Sequence, residues 1–267
     1  MVRGRFRWSS AALSDVGLVR RINEDAGLDL CERGLWAVAD GMGGHDFGAV
    51  ASSMLVQALA YLPPCRPLAA CIAAARERLR EVNDELRTTA AARSVPMMGT
   101  TVVTLLAVEN ECAVLWAGDS RAYLMRRGQL RQISRDHRQT DAATLPATDR
   151  AAGSATGLSA ASPGRSDASI ASNIISRAVG AAASLLLDEI RVPVEDGDFF
   201  LLCSDGLTNM VTDREIAEAL LHGSCRQATQ LLIALALQYG APDNVTVVVV
   251  TATDLDSSDR TVFNPAV

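Results

Sequence analysis

Three acidic segments of the 267-residue chain share one local pattern, in which an apolar run ends and an aspartate stands beside glycine or asparagine. They are Val38-Ala39-Asp40-Gly41-Met42-Gly43-Gly44, Cys203-Ser204-Asp205-Gly206 and Asp243-Asn244-Val245-Thr246. A fourth, Trp116-Ala117-Gly118-Asp119-Ser120-Arg121, has the same shape. Carboxylates at strand ends are held by rigid elements, and a neighbouring glycine lets backbone approach a ligand closely. Four such carboxylates meeting in one place would repel one another unless cations stood between them. Hard divalent ions with oxygen ligands, Mg2+ or Mn2+, suit that set. A lone Asp-Gly is ordinarily a turn, so the weight rests on the four together.

The elements that must position these residues are legible in outline. Residues 35–39 form a short apolar run of strand length that ends on Asp40. Positions 47, 50, 51, 54, 55 and 58 repeat at helical spacing, and Pro63-Pro64 ends the pattern. A second helix is predicted from Pro67, with the stripe Leu68, Cys71, Ile72, Ala75, Leu79, Val82 and Leu86. Two amphipathic helices in tandem need an apolar surface to lie on. Strand-like runs at 101–108, 113–116, 122–125, 198–204 and 245–251 supply it, with helical patterns at 213–221 and 226–239. Strands and helix pairs come in blocks, which favours an α+β layered fold over a doubly wound sheet. Residues 138–172 differ in kind: 25 of 35 are Ala, Ser, Thr, Gly or Pro. Such a stretch buries little and is expected to be mobile.

Composition narrows the function. Apolar residues make up 49% and charged ones 21%, which is the range of a globular protein with a core. The net charge of −6 repels polyphosphate, so neither nucleic acid nor an anionic membrane is expected as a partner. No run approaches the length of a membrane span, and the basic start lacks the apolar stretch of a secretory signal. A cytoplasmic protein is therefore expected. The six cysteines are scattered and read as reduced, mostly buried thiols. None has arginine six positions later, so the Cys-x5-Arg loop of cysteine phosphatases is absent.

Ordered along the chain, the motifs resemble those of the metal-dependent serine/threonine protein phosphatases, the protein phosphatase 2C family. They begin with Ser14-Asp15-Val16-Gly17-Leu18-Val19-Arg20-Arg21-Ile22-Asn23-Glu24-Asp25 and Ala39-Asp40-Gly41-Met42-Gly43-Gly44-His45. Met98-Gly99-Thr100-Thr101, Gly118-Asp119-Ser120-Arg121 and Arg135-Asp136-His137 follow. The series closes with Asn173 to Gly180, Ser204-Asp205-Gly206-Leu207 and Asp243-Asn244-Val245-Thr246. The similarity is to small bacterial stand-alone members.

The resemblance implies one catalytic domain over residues 9–252, with a flap at 138–172 and a short tail at 253–267. Its expected architecture is a four-layer α-β-β-α sandwich, two antiparallel sheets flanked by helices. It further implies two Mn2+ or Mg2+ ions, with Asp40 bridging both, the Gly41 carbonyl on one, and Asp205 and Asp243 on the other. Asp119, with Asp205, matches a third metal position. Glu24 and Asp25 are expected to reach the metals through water. A hydroxide held between the ions would attack phosphorus, with Arg20 clamping the phosphate through its planar fork. Where animal relatives carry a histidine after Asp-Gly, this chain has Met42, which cannot donate a proton; His45 is the candidate general acid. His137 is read as structural, and His222 and Arg21 need no functional role.

The expected function is hydrolysis of phosphoserine and phosphothreonine in proteins, opposing a cognate serine/threonine kinase. Acting as a monomer and without a membrane anchor, the chain would also fit the phosphatases of type VI secretion control. The alternative is a catalytically weak regulatory module of the same fold that docks phosphoproteins.

Overall fold

A computed structural model describes residues 5–43, 46–137, 177–221 and 223–255. His45, His222, the 138–172 segment and the tail beyond residue 255 lie outside the described residues. The first half of the chain runs β1 (Phe6–Asp15), β2 (Asp25–Leu30), β3 (Leu35–Met42), α1 (Phe47–Ala60) and α2 (Leu68–Ala92). Then come β4 (Gly99–Thr100), β5 (Val102–Val108), β6 (Glu111–Ala117), β7 (Arg121–Arg126) and β8 (Gln129–Gln132). The second half adds β9 (Asp188–Pro193), β10 (Phe199–Cys203), α3 (Asp205–Thr208), α4 (Asp213–Leu221), α5 (Cys225–Gln238) and β11 (Val245–Asp254).

The strands form two sheets whose pairings are all antiparallel. One has the order β1-β11-β10-β7-β8; the other has β2-β3-β5-β6-β9, with β4 paired to β3. Side chains alternate faces along a strand, and β3 shows what that does. Trp36 and Val38 point into the layer between the sheets, against Phe200, Leu202, Val248 and Val250. Leu35, Ala37 and Ala39 point the other way, to Leu55, Leu59, Leu79 and Leu86 of α1 and α2. A third core fills the space between the first sheet and α4 and α5, through Leu201, Val247, Val249, Ile216 and Leu232. The result is the four-layer α+β sandwich expected from the sequence.

The helices stand where they were predicted, with α1 ending at Ala60, before Pro63-Pro64, and α2 beginning just after Pro67. A capping box starts α5: Gln227 N–H donates to Ser224 Oγ while the Gln227 side chain accepts from the Ser224 N–H. One cysteine expectation is corrected. Cys65 and Cys71 form a disulfide, their Cα atoms 5.3 Å apart, because the turn into α2 brings position 71 back over position 65. The other four thiols are free, three of them buried.

Candidate metal centre

The acidic residues come from both sheets and meet at one end of the sandwich. Asp40 stands near the end of β3, directly opposite Asp25 on β2. Its backbone is tied down by the two threonines of the Gly-Thr-Thr motif. Thr101 N–H and Thr100 Oγ1 donate to the Asp40 carbonyl (2.8 and 3.0 Å), and Asp40 N–H donates to Thr101 Oγ1 (3.0 Å). Thr101 Oγ1 is in turn 2.7 Å from Ser120 Oγ, which couples β3 to the Asp119 turn. Gly41 is required here: a Cβ on it would lie 2.1 Å from the Gly48 carbonyl oxygen and 2.5 Å from that of Glu24.

From the other sheet, Asp205 begins α3 at the end of β10, and Asp243 stands two residues before the start of β11. Ser204 Oγ donates to Asp25 Oδ2 across the seam between the sheets (2.7 Å). Asn244 organises the loop that carries Arg20 and Glu24. Its side-chain amide donates to the carbonyls of Val16 (2.9 Å) and Ile22 (3.0 Å), while its Oδ1 accepts from Glu24 N–H (2.8 Å). Arg20 Nη2 is 2.8 Å from Asp243 Oδ2, an ion pair exposed to solvent. The predicted phosphate clamp and the predicted metal ligand are thus partners.

The electrostatics are those of like charges held together. Burial pushes the Asp25 carboxyl up to about 7; hydrogen bonds from Ser204 and Thr246 oppose the shift, and Asp205 and Asp243 add to it. Asp40 lies well above the usual carboxylate range, through burial and then repulsion from Asp25, Asp205, Asp119 and Asp243. Glu24 is also raised, by burial first, with Arg20 pulling it back. Glu24 Oε1 is buried with no hydrogen-bond partner.

Asp119 is 4% exposed, in the turn between β6 and β7. His137 fixes that turn, in line with the structural role read for it. Its Nδ1 accepts from Gly118 N–H (3.2 Å), and its own N–H donates to the Gly118 carbonyl (2.9 Å). With Nδ1 accepting, the ring proton sits on Nε2 and is donated to Asp188 Oδ2 (3.1 Å). Arg177 Nη1 holds the other oxygen of Asp188 at 2.9 Å.

The donor chemistry fits a divalent cation: oxygen ligands, mutual repulsion that a cation relieves, and a buried carboxylate oxygen with no partner. As they stand, no three Asp, Glu, His or Cys side chains among the described residues close around a single point. Asp243 is turned to Arg20, and Asp205 Oδ2 accepts from Asn209 Nδ2 (3.0 Å). Sequence reasoning missed the residues that orient this cluster, chiefly Ser204, Thr246, Asn244 and Asp188. Polar side chains at the ends of apolar strands were the available signal.

Two face-to-face antiparallel sheets with acidic strand ends place the chain in the class of layered sandwiches with carboxylates gathered at one end. A family model described as Protein phosphatase 2C matches residues 21–234. The serine/threonine protein phosphatase PstP of Mycobacterium tuberculosis is 38% identical over 258 residues, 92% of this chain and 45% of the relative. The chain therefore spans about half the length of that relative. A structure described as PppA, a key regulatory component of T6SS in Pseudomonas aeruginosa, superposes with a TM-score of 0.80 at 41% identity. It covers 92% of this chain and 97% of that one. The catalytic domain of PstP in complex with two manganese ions gives a TM-score of 0.76 at 34% identity, over 93% of this chain and all of that one. The chain belongs to the protein phosphatase 2C family.

Proposed function

We propose that the chain is a metal-dependent phosphoprotein phosphatase that hydrolyses phosphoserine and phosphothreonine, opposing a bacterial serine/threonine kinase. One observation carries this reading: Asp25, Asp40, Asp205 and Asp243 share one end of the sandwich, close enough to raise the Asp25 and Asp40 carboxyls, with Arg20 beside them. Asp40 with the Gly41 carbonyl, Asp205 and Asp243 would hold two Mn2+ or Mg2+ ions, and Asp119 with Asp205 a third. Glu24 and Asp25 would act on them through water. When bound, such ions neutralise phosphate charge and lower the pKa of water toward roughly 7.

Arg20 would bind and orient the substrate. Its guanidinium can donate two parallel N–H groups to one phosphoryl group and keeps its charge at any working pH. An exposed ion pair such as Arg20–Asp243 is worth about 0–1 kcal/mol, so phosphate competes for the arginine easily. In the reaction, water oxygen bonds to phosphorus, the bond from phosphorus to the serine or threonine oxygen breaks, and inorganic phosphate leaves. The departing alcohol needs a proton; His45 is the proposed donor, since Met42 has none to give.

The likeness to PppA supports a role in type VI secretion control. The proposed setting is the cytoplasm, with the chain acting as a monomer on the kinase and its phosphorylated substrates. Among the described residues no helix is long and apolar enough to cross a membrane.

The test is hydrolysis of a phosphothreonine peptide with Mn2+, with Mg2+ and with EDTA, beside Asp205→Asn. Turnover is expected only with metal, and removing one ligand is expected to cost at least about 100-fold, as loss of one electrostatic stabiliser does elsewhere. Absence of turnover in a folded, metal-bound protein would favour the docking module instead.

A further inference from the structure

An open groove of about 710 Å³ runs between α1 and α2, starting at Ile22 and ending at Tyr61. It is lined along α1 by Val50, Met54 and the buried Ala58, and by Arg78 and Glu85 of α2. Large apolar side chains are left in solvent around its entrance. Leu18 is 65% exposed, Val19 69% and Ile22 45%, and all three belong to the loop that carries Arg20. Val50 is 39% exposed along the groove, and Tyr61 83% at its far end. Ile22, Val50 and Tyr61 line the groove itself, while Leu18 and Val19 stand on the same loop as Ile22, outside its lining. Isolated exposed apolar residues are ordinary, but several along one channel mark a binding surface.

We propose that this groove binds the apolar residues on one side of the phosphorylated serine or threonine of a protein substrate. The inference rests on the phosphatase reading and adds to it a sequence preference.

Continuity with the site is the first argument. Ile22 lies two residues from Arg20, and its carbonyl is held by Asn244, the neighbour of Asp243. Asp46, at the same end of the groove, is near enough to add to the upward shift that burial gives Glu24. A chain whose phosphate sits on Arg20 therefore has Ile22, two residues away, as its first contact in the groove. Length is the second argument. From Asp46 to Tyr61 α1 rises about 22 Å at 1.5 Å per residue, which is about six or seven residues of extended chain. Shape is the third: the groove is open along its length, which suits a passing peptide better than an enclosed small molecule. Its lining of alanine, valine and methionine offers apolar contact, and methionine adapts to different side chains. Asp46 at the entrance, in an already acidic site, disfavours an acidic residue next to the phosphate.

The experiment uses the full chain with Mn2+ and a series of phosphothreonine peptides. Leucine or valine replaces aspartate at successive positions on the N-terminal side in one set and on the C-terminal side in another. One apolar side chain lodged in an apolar pocket is worth about 10–200-fold in specificity. We expect kcat/KM to rise at least about tenfold on one side only, with the gain falling on KM. Val50→Glu and Met54→Lys should each remove most of that preference, lowering the ratio of phosphopeptide to p-nitrophenyl phosphate turnover. Equal kcat/KM across both sets, beside brisk p-nitrophenyl phosphate hydrolysis, would overturn the groove while leaving the phosphatase reading intact. So would a concentration-dependent dimer in sedimentation that Val50→Glu abolishes, since a second copy would then own the surface. Failure to hydrolyse even p-nitrophenyl phosphate would overturn both.

Discussion

Asp25 and Asp40 face each other across β2 and β3, and the protons they hold decide what the site does without metal. Both carboxyls titrate above their ordinary range, burial being the largest cause for each. The folded state therefore binds protons more tightly than the unfolded chain, whose carboxyls titrate near 4. That contribution to stability is full below about pH 4; the share of Asp25 is lost as pH rises through about 7 and that of Asp40 above the usual carboxylate range. In EDTA, the melting temperature is thus expected to fall between pH 5 and pH 8; a flat or rising profile would contradict the charge assignment. Saturating Mn2+ should reverse the slope, because the cation binds the deprotonated form. Asp25→Asn should stabilise the metal-free protein while weakening Mn2+ binding in calorimetry. Arg20→Ala carries the opposite sign for metal. It frees Asp243 and removes a positive charge, so Mn2+ affinity should rise while KM for a phosphopeptide worsens. Asp25 came only through the family resemblance, whereas Asp40, Asp119, Asp205 and Asp243 could be found from the sequence because each stands beside glycine or asparagine at one end of an apolar run. Ser204 and Asn244 could not, since a serine or asparagine at a strand end has many uses and only the folded seam shows which groups they reach.

Elements interlock at this end of the molecule with little slack. A Cβ on Gly206 would lie 1.9 Å from the Asn244 carbonyl oxygen, so the start of α3 rests directly on the entry to β11. Gly206→Ala should cost about 1–3 kcal/mol, the range for overpacking, and lower the melting temperature with metal present or absent. Strands buried on both faces were legible as apolar runs, β5, β6, β10 and the first residues of β11 among them. Besides the two-residue β4, the strands that sequence reading passed over are β1, β2, β8 and β9, where half-exposed polar and charged residues alternate with apolar ones. These last four lie at the edges of the two sheets, where pairing on one side and burial on one face leave the hydrophobic pattern weak. The disulfide was illegible for a different reason: a spacing of six positions between cysteines says nothing of whether the intervening turn closes.

At the scale of the whole molecule, the site exists only where the sheets meet. One sheet brings Asp25 and Asp40, the other Asp205 and Asp243, and Asp119 sits on the turn by which the chain passes between them. Neither sheet alone holds a usable set. Loss of Mn2+ binding in urea should therefore coincide with the change in tryptophan fluorescence, since Trp36 is fully buried between the same two sheets. Metal release well before the fluorescence transition would show that the seam opens on its own.

The placement of β11 also sets an order in time. It lies between β1 and β10, and β1 has no other neighbour in its sheet. A ribosome adds about 5–20 residues per second, so the strand made from residues 6–15 waits for its only partner until residues 245–254 have been made. Asp243 arrives just ahead of that closing strand. A chain that stops short of residue 243 lacks both Asp243, the proposed metal ligand, and the strand that pairs with β1 and β10, and such a truncation is expected to hydrolyse no phosphopeptide.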